Sequence, residues 1–202
     1  MTAAAPGARA RIVRACHAGV AVLLVGVLSQ ALAAGPAGSD AVWRAMDDGA
    51  AVLMRHAEAP GGGDPPGFRL DDCATQRNLD EVGRDQARRI GQAFRERGIR
   101  VGRVLSSRWC RARDTARLAF GEPVHEVEIF DSFFGAPQRR EVQTADARQL
   151  LRQWRGPGVL VVITHQVNIT ALTGVFPASG EAVVLDVRDA DLPLRGRIRP
   201  AP

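Results

Sequence analysis

The sequence contains no lysine and no tyrosine, so all 27 of its basic residues are arginines. The absence of lysine bears on the glycine run at residues 61–63. A P-loop requires a lysine at a fixed distance from its glycines, and neither that lysine nor that spacing is present. We therefore interpret residues 61–63 as a flexible loop rather than a nucleotide-binding motif.

Motifs of two hydrolase classes are also missing. No H-E-x-x-H or C-x-x-C spacing occurs in the chain, which argues against a metal hydrolase and predicts no metal site and no cofactor. No G-x-S-x-G elbow surrounds the pair Ser106 and Ser107, so neither serine is predicted to be a nucleophile. The chemistry must then come from other side chains.

The first 33 residues have the three parts of a secretory signal peptide. Arginines precede an uncharged apolar run over residues 18–28, and a small-x-small site for cleavage follows at residues 31–33. The apolar run is short for a bilayer span, which favours cleavage over anchoring. We predict a periplasmic or secreted protein, with membrane contact only if the leader stays uncleaved. Residues 34–202 are predicted to form a single domain.

The charge and the cysteines of that domain limit its partners. Without the three arginines of the leader, 24 basic residues face 22 acidic ones, a net charge of +2, so a nucleic-acid partner is not predicted. Two cysteines remain, Cys73 and Cys110. An exported protein can form a disulfide between them, but two separate thiols near the active site are an equal alternative.

Hydrophobic patterning predicts an α/β fold. Short apolar runs predict strands over residues 49–54, 103–105, 127–130, 158–163 and 182–187. Helical spacing or helix-end signals predict helices over residues 78–97, 109–120, 144–154 and 168–173. Because strands and helices alternate, we expect a three-layer sandwich whose mostly parallel central sheet has helices on both faces.

Two histidines follow the two most apolar predicted strands. His56 comes directly after Arg55 at the end of one run, and His165 follows the other. The carboxyl ends of parallel strands lie along one edge of a sheet, where ligand sites form. We therefore expect these residues to meet although more than a hundred positions separate them.

Four blocks of sequence, in order, carry a family resemblance. They are LMRHAE at 53–58, RNLDEVGRDQA at 77–87, SSRWCRARDTA at 106–116 and VITH at 162–165. Together they resemble branch 1 of the histidine phosphatase superfamily, which has the phosphoglycerate-mutase-like fold. The resemblance covers nearly the whole predicted domain.

The resemblance implies roles for individual residues. His56 attacks phosphorus as the neutral imidazole and becomes phosphohistidine, which water then hydrolyses. Arg55 and Arg111 offer planar guanidinium groups to the phosphate oxygens, and His165 binds the same phosphoryl group. Further contacts to phosphate or substrate are expected from Asn78, Arg108, Thr164 and Gln166. For Arg108 a surface role, and for Gln166 a helix-capping role, are equally open.

The proton donor to the leaving group is the least determined role. Many members of the family carry a glutamate in a pattern like L-x-E-x-x-F-G, and residues 129–135 (IFDSFFG) place Asp131 at that position. Asp131 is therefore the first candidate, with Glu58 and Glu141 as alternatives. An aspartate has a shorter reach than the glutamate usual in the family.

These observations predict a metal-independent phosphomonoester hydrolase. The alternative is a phosphate-ester binding protein of the same fold without catalysis, although a binding site has no need of a nucleophile. A mutase is disfavoured because the chain is too short for the substrate-covering insertions of mutases. For an exported enzyme the partner is expected to be a small-molecule or glycan phosphate ester, such as a sugar phosphate or a phosphorylated envelope polysaccharide.

Overall fold

A computed structural model describes residues 39–199 of the chain. The predicted leader, residues 1–33, lies outside the described residues. None of the helices in the described part is long and apolar enough to cross a membrane.

A six-stranded sheet forms the centre of the fold. Its strands are β1 (Ala50–Arg55), β2 (Val101–Ser106), β3 (His125–Glu126), β4 (Val159–Thr164), β5 (Ala182–Asp186) and β6 (Leu194–Ile198). They lie in the order β3-β2-β4-β1-β5-β6. β1 to β4 are parallel to one another, and β5 is antiparallel to both of its neighbours.

Five α-helices cover the two faces of this sheet. They are α1 (Ser39–Arg44), α2 (Glu81–Glu96), α3 (Cys110–Phe120), α4 (Arg140–Arg152) and α5 (Gln166–Thr173). Helices α1, α2 and α3 pack on one face of the sheet, and α4 and α5 pack on the other. The predicted α/β sandwich with a mostly parallel sheet is therefore confirmed.

The central strands are apolar along their whole length because both of their faces are covered. In β1, Val52 contributes to the core under α2 and α3, whereas its neighbour Leu53 contributes to the core under α4 and α5. Every residue of β4 is buried. A strand buried on both faces reads as a continuous apolar run rather than an alternating one.

One predicted strand is wrong. Residues 127–130 do not form a strand; Glu128–Phe130 is a short 3₁₀ helix, and the neighbouring strand β3 is only two residues long. Phe130 is fully buried in the core, so the apolar run reflects packing rather than sheet pairing. Such short runs do not distinguish a strand from a buried turn. The sequence reasoning also missed α1 and β6.

Candidate active site

Two neighbouring strands bring the two histidines to one edge of the sheet. β1 and β4 are parallel and pair Arg55 with Thr164, so His56 and His165 follow side by side. The backbone N–H of His56 donates to the carbonyl of Thr164 at 3.0 Å. The centroids of the two imidazole rings are 5.4 Å apart. The structure thus brings together the residues that the strand ends indicated.

The hydrogen bonds of His56 fix its tautomer. Its Nδ1 lies 2.8 Å from the carbonyl oxygen of Ala57 and must carry the proton of that bond. Its Nε2 is therefore unprotonated and accepts a hydrogen bond from Nε of Arg111 at 3.2 Å. Burial, followed by the positive charge of Arg111, lowers the pKa of His56 to about 3. The imidazole is neutral near pH 7, as a nucleophile must be.

His165 is held by a serine and, through it, by a buried carboxylate. The Oγ of Ser107 lies 2.8 Å from Nε2 of His165 and 3.2 Å from Oδ1 of Asp131. All three groups are satisfied when Nε2–H donates to Ser107 and the hydroxyl donates to Asp131. Nδ1 of His165 is then the ring atom left for a ligand. Burial lowers the pKa of His165 well below its usual value, with the charge of nearby cations acting in the same direction.

Three arginines surround the histidine pair. Arg55, Arg77 and Arg111 all line the same cavity. Arg55 Nη1 donates to the carbonyl of Pro177 at 3.1 Å. The buried Nε atoms of Arg55 and Arg77 have no hydrogen-bond partner among the described residues. Buried donors without a partner are rare and are costly to leave unpaired.

A carboxylate from the glycine-rich loop occupies part of this cationic site. The two oxygens of Asp64 accept from Nη1 and Nη2 of Arg111 at 2.7 and 3.1 Å. Asp64 also accepts from the indole N–H of Trp109 at 2.9 Å and from the backbone N–H of Arg77 at 3.1 Å. Burial alone would raise the pKa of Asp64, but the bonds and charge of Arg111 outweigh it, so this pKa lies below its usual value.

Asp131, the first candidate for the proton donor, does not line the cavity. Its side chain is fully buried, Oδ2 accepts from Nε of Arg108 at 2.7 Å, and Nη2 of Arg108 lies 2.6 Å from the same oxygen as an ion pair. Oδ1 accepts from the backbone N–H of Arg108 at 2.8 Å and from Ser107. Burial raises the pKa of this carboxyl, while the donors of Arg108 act in the opposite direction. The structure thus places Asp131 behind Ser107.

The alternative acids are not in the cavity either. Glu58 is half-buried, and Glu141 is exposed in the first turn of α4. Neither lines the cavity, and among the acidic residues of positions 39–199 only Asp64 does.

The four candidate substrate-binding residues separate into two groups. Gln166, at the start of α5, lines the cavity, and its amide donates to Thr170 at 2.8 Å. The other three do not line it. Arg108 pairs with Asp131, and the Thr164 hydroxyl donates to the carbonyl of Phe130 at 2.6 Å.

Asn78 belongs to a separate structural cluster. Its amide nitrogen donates to the carbonyl of Cys73 at 2.6 Å, which ties the end of the loop in place. Cys73 in turn forms a disulfide with Cys110, the first residue of α3. Of the two alternatives for the cysteines, the structure therefore has the pair. The bond links the segment after the glycine loop to the helix that carries Arg111.

The cavity is larger than a phosphate group needs. It has a volume of about 640 Å³, within the range of sites for small organic ligands. Among the described residues, no group of three or more histidine, cysteine, aspartate or glutamate side chains is placed to hold a metal ion.

Comparison with known families now bears on this arrangement. The model of the histidine phosphatase superfamily (branch 1) matches residues 51–158, more than half of the chain. The chain belongs to this superfamily. The match includes His56, Arg55 and Arg111 and ends before β4, so it does not include His165. No curated protein matches the chain.

Solved structures share the histidine phosphatase fold. The chain resembles the protein histidine phosphatase SixA complexed with tungstate, with a TM-score of 0.52 and 15% identity over 75% of this chain and 97% of that one. It also resembles a putative phosphohistidine phosphatase SixA from Agrobacterium tumefaciens (0.52, 22%, 76% and 99%). A third is a mutant phosphoserine phosphatase from Entamoeba histolytica in complex with phosphoserine (0.51, 14%, 73% and 95%). At these identities the likeness shows the fold, and the family supports a phosphatase.

Three residues of this histidine phosphatase site were not predicted from the sequence. Asp64 lies in a loop dense in glycine and proline, and no pattern there indicates which side chain turns inward. Arg77 stands beside Asn78 in one of the four blocks, which was the available signal. Trp109 belongs to a third block, but its contact with Asp64 depends on the loop.

Proposed function

We propose that this phosphatase hydrolyses phosphate monoesters through a phosphohistidine formed on His56. The observation that carries the proposal is the unprotonated Nε2 of a neutral, buried His56, which accepts from Nε of Arg111 at 3.2 Å, a donor that a phosphoryl group can take over. A histidine kept neutral by burial and by neighbouring cations is available to attack a phosphorus atom throughout the physiological pH range.

The proposed reaction has two displacement steps at phosphorus. In the first, Nε2 of His56 forms a bond to phosphorus while the bond from phosphorus to the ester oxygen breaks and its electron pair leaves with that oxygen. In the second, water adds to phosphorus, the bond from phosphorus to Nε2 breaks, and inorganic phosphate is released. The leaving oxygen takes up a proton from solvent and the attacking water releases one, so the sum consumes one water and yields one alcohol and one phosphate. Neither step of the proposal uses a metal ion.

The arginines supply the electrostatic part of the mechanism. A phosphate monoester carries nearly two negative charges, which fixed cations and directed donors must stabilise in the transition state. The unpaired Nε donors of Arg55 and Arg77 and the Nε of Arg111 surround the nucleophile. His165 adds an unprotonated Nδ1, which accepts a hydrogen bond from a protonated phosphoryl oxygen of the substrate.

Within residues 39–199, the cavity has no acid that can protonate the leaving group. Asp64 is the one acidic residue among the described positions that lines it, and Arg111 keeps its carboxyl ionised. An ionised carboxylate cannot donate a proton to the ester oxygen. We therefore propose that the rate depends steeply on the leaving group and is highest for esters whose alcohol is acidic.

The substrate and the location are proposals that rest on the sequence. We propose export through the leader at residues 1–33, and a sugar phosphate or a phosphorylated envelope polysaccharide as the substrate. The disulfide between Cys73 and Cys110 supports an oxidising compartment, since cytosolic thiols are kept reduced. Cell fractionation tests this proposal: activity in the periplasm or medium is expected, and activity confined to the cytoplasm would refute it.

Substitution of the nucleophile tests the proposed function. With p-nitrophenyl phosphate as substrate, His56→Ala should abolish hydrolysis by the purified protein while leaving its circular dichroism unchanged. The matched control is His125→Ala, because His125 is exposed on strand β3 and outside the cavity, and it should keep full activity. Activity that survives in His56→Ala would refute the mechanism. A wild-type protein that binds phosphate esters without turnover would support the non-catalytic alternative.

A further inference from the structure

The cavity has a wall that the phosphate chemistry does not use. Beyond the arginines and histidines it is lined by Phe68, Trp109 and Phe134, with small residues between them. We call Phe68, Trp109 and Phe134 the aromatic wall. Phenylalanine and tryptophan make up only 5% of the chain, yet three of these residues meet at this one cavity.

Trp109 connects the aromatic wall to the catalytic histidines. Its ring lies edge-on to His165 with centroids 5.3 Å apart, and its indole N–H is fixed by Asp64 at 2.9 Å. Phe68 also packs against Trp109, with the two ring centroids 5.7 Å apart. The wall is therefore continuous with the phosphate site.

Phe134 differs from the other two members of the wall, which pack against each other. Its side chain is 69% exposed although it lines the cavity. Two hydrogen bonds lie in the loop that carries it: the Phe134 N–H donates to the Ser132 side-chain hydroxyl at 3.3 Å, and the Ala136 N–H donates to the carbonyl of Phe133 at 2.9 Å. A single exposed phenylalanine is ordinary on a protein surface. An exposed phenylalanine on the rim of an aromatic cavity instead offers apolar area to a ligand.

We propose that the aromatic wall binds the alcohol moiety of the substrate and selects phosphate esters of ring compounds that present an apolar face. This inference rests on the proposed phosphatase function, since it assigns the part of the substrate that leaves with the ester oxygen. Both an aryl ring and the apolar face of a sugar ring have this chemistry. A small acyclic ester would fill the phosphate site and leave the wall uncovered.

Substitution of Phe134 tests the wall, and the chain offers a matched control. Phe176 is 67% exposed, nearly the same as Phe134, but does not line the cavity. The activities of Phe134→Ala and Phe176→Ala should be compared with 1-naphthyl phosphate, glucose 1-phosphate and acetyl phosphate. Loss of a ring contact should lower the preference for a ring ester over acetyl phosphate, measured as the ratio of kcat/KM values, by about tenfold in Phe134→Ala. The ratios should not change in Phe176→Ala.

The ring esters distinguish the two sources of an apolar face. A loss of preference for naphthyl phosphate alone supports an aryl substrate, and a loss for glucose 1-phosphate supports a sugar substrate. If the activity of Phe134→Ala falls equally with all three compounds, or if neither ratio changes, the wall does not bind the alcohol moiety.

A binding measurement separates this inference from the proposed function. 1-Naphthylmethylphosphonate has a carbon–phosphorus bond that a phosphatase does not hydrolyse, so calorimetric titration reports binding alone. Its Kd should rise about tenfold in Phe134→Ala relative to wild type and Phe176→Ala, even if the protein has no phosphatase activity. An unchanged Kd would overturn the inference, while absent turnover with a changed Kd would overturn only the proposed reaction.

Discussion

Two aspartates lie near the histidine pair, and each binds an arginine, but their positions relative to the cavity differ. Asp64 lines the cavity and binds Arg111, which also points at the nucleophile. Asp131 is fully buried behind Ser107 and binds Arg108 outside the cavity. The acid that matches the family pattern is thus a supporting residue. The acid that lines the cavity comes from a loop without a readable pattern.

The largest expected difference lies between the two arginines that bind these acids. Arg111→Ala should lower kcat/KM for p-nitrophenyl phosphate by about 10²–10³-fold, because it removes a cation that stabilises the transferring phosphoryl group. Arg108→Ala removes the partner of Asp131 and should cause a much smaller loss. Equal losses in steady-state assays of the two variants would show that Arg108 is as important for the reaction as Arg111.

Removal of the charge of Asp64 should strengthen anion binding. In Asp64→Asn, a phosphate would no longer compete with a carboxylate for the guanidinium of Arg111, so the inhibition constant of inorganic phosphate should fall about tenfold. Asp131→Asn is the control, and its inhibition constant should change little because its carboxylate lies outside the cavity. A weaker inhibition in Asp64→Asn would mean that Asp64 orients Arg111 for phosphate rather than competing with it.

Asp131→Asn should instead affect stability. The buried carboxylate accepts three hydrogen bonds from Arg108 and Ser107 and forms an ion pair with Arg108, and impairing these contacts should cost about 1–3 kcal/mol in the free energy of unfolding, measured with urea. The dependence of kcat/KM on the leaving group, measured with a series of aryl phosphates, should keep its slope. A steeper slope in Asp131→Asn would identify this residue as the proton donor after all.

The pH dependence of stability should report the neutral state of the nucleophile. The pKa of His56 is about 3 in the folded protein, whereas it is near 6.5 in the unfolded chain. The unfolded state binds more protons between these values, so the contribution of His56 is full above pH 6.5 and falls as the pH falls. Urea unfolding of wild type should lose up to about 1.4 kcal/mol per pH unit in this window relative to His56→Gln. Parallel curves would show that His56 is not held neutral.

The sequence was sufficient to predict the parts of the site that strands position. His56, Arg55 and His165 follow apolar runs whose ends must meet in a parallel sheet, and the alternation of elements predicts that sheet. The short run before Asp131 gave the wrong element, since Phe130 is buried in a turn rather than in a strand.

The remaining part of the site depends on contacts that a sequence does not encode locally. Asp64 enters the cavity because distant donors on Arg111 and Trp109 bind it. Asp131 turns away from the cavity because Arg108, 23 positions earlier, binds both of its oxygens. Neither choice follows from spacing, propensity or the composition of the loops.

Trapping the phosphohistidine on His56 tests the proposed mechanism. An aryl phosphate that is radiolabelled at phosphorus should leave label on the protein when the reaction is quenched in base within one turnover. The label should be stable in base, lost in acid, and located by peptide mapping on His56. No label is expected in His56→Ala, and full labelling is expected in His125→Ala. Label on another residue, or rapid turnover with no label at any quench time, would contradict the mechanism.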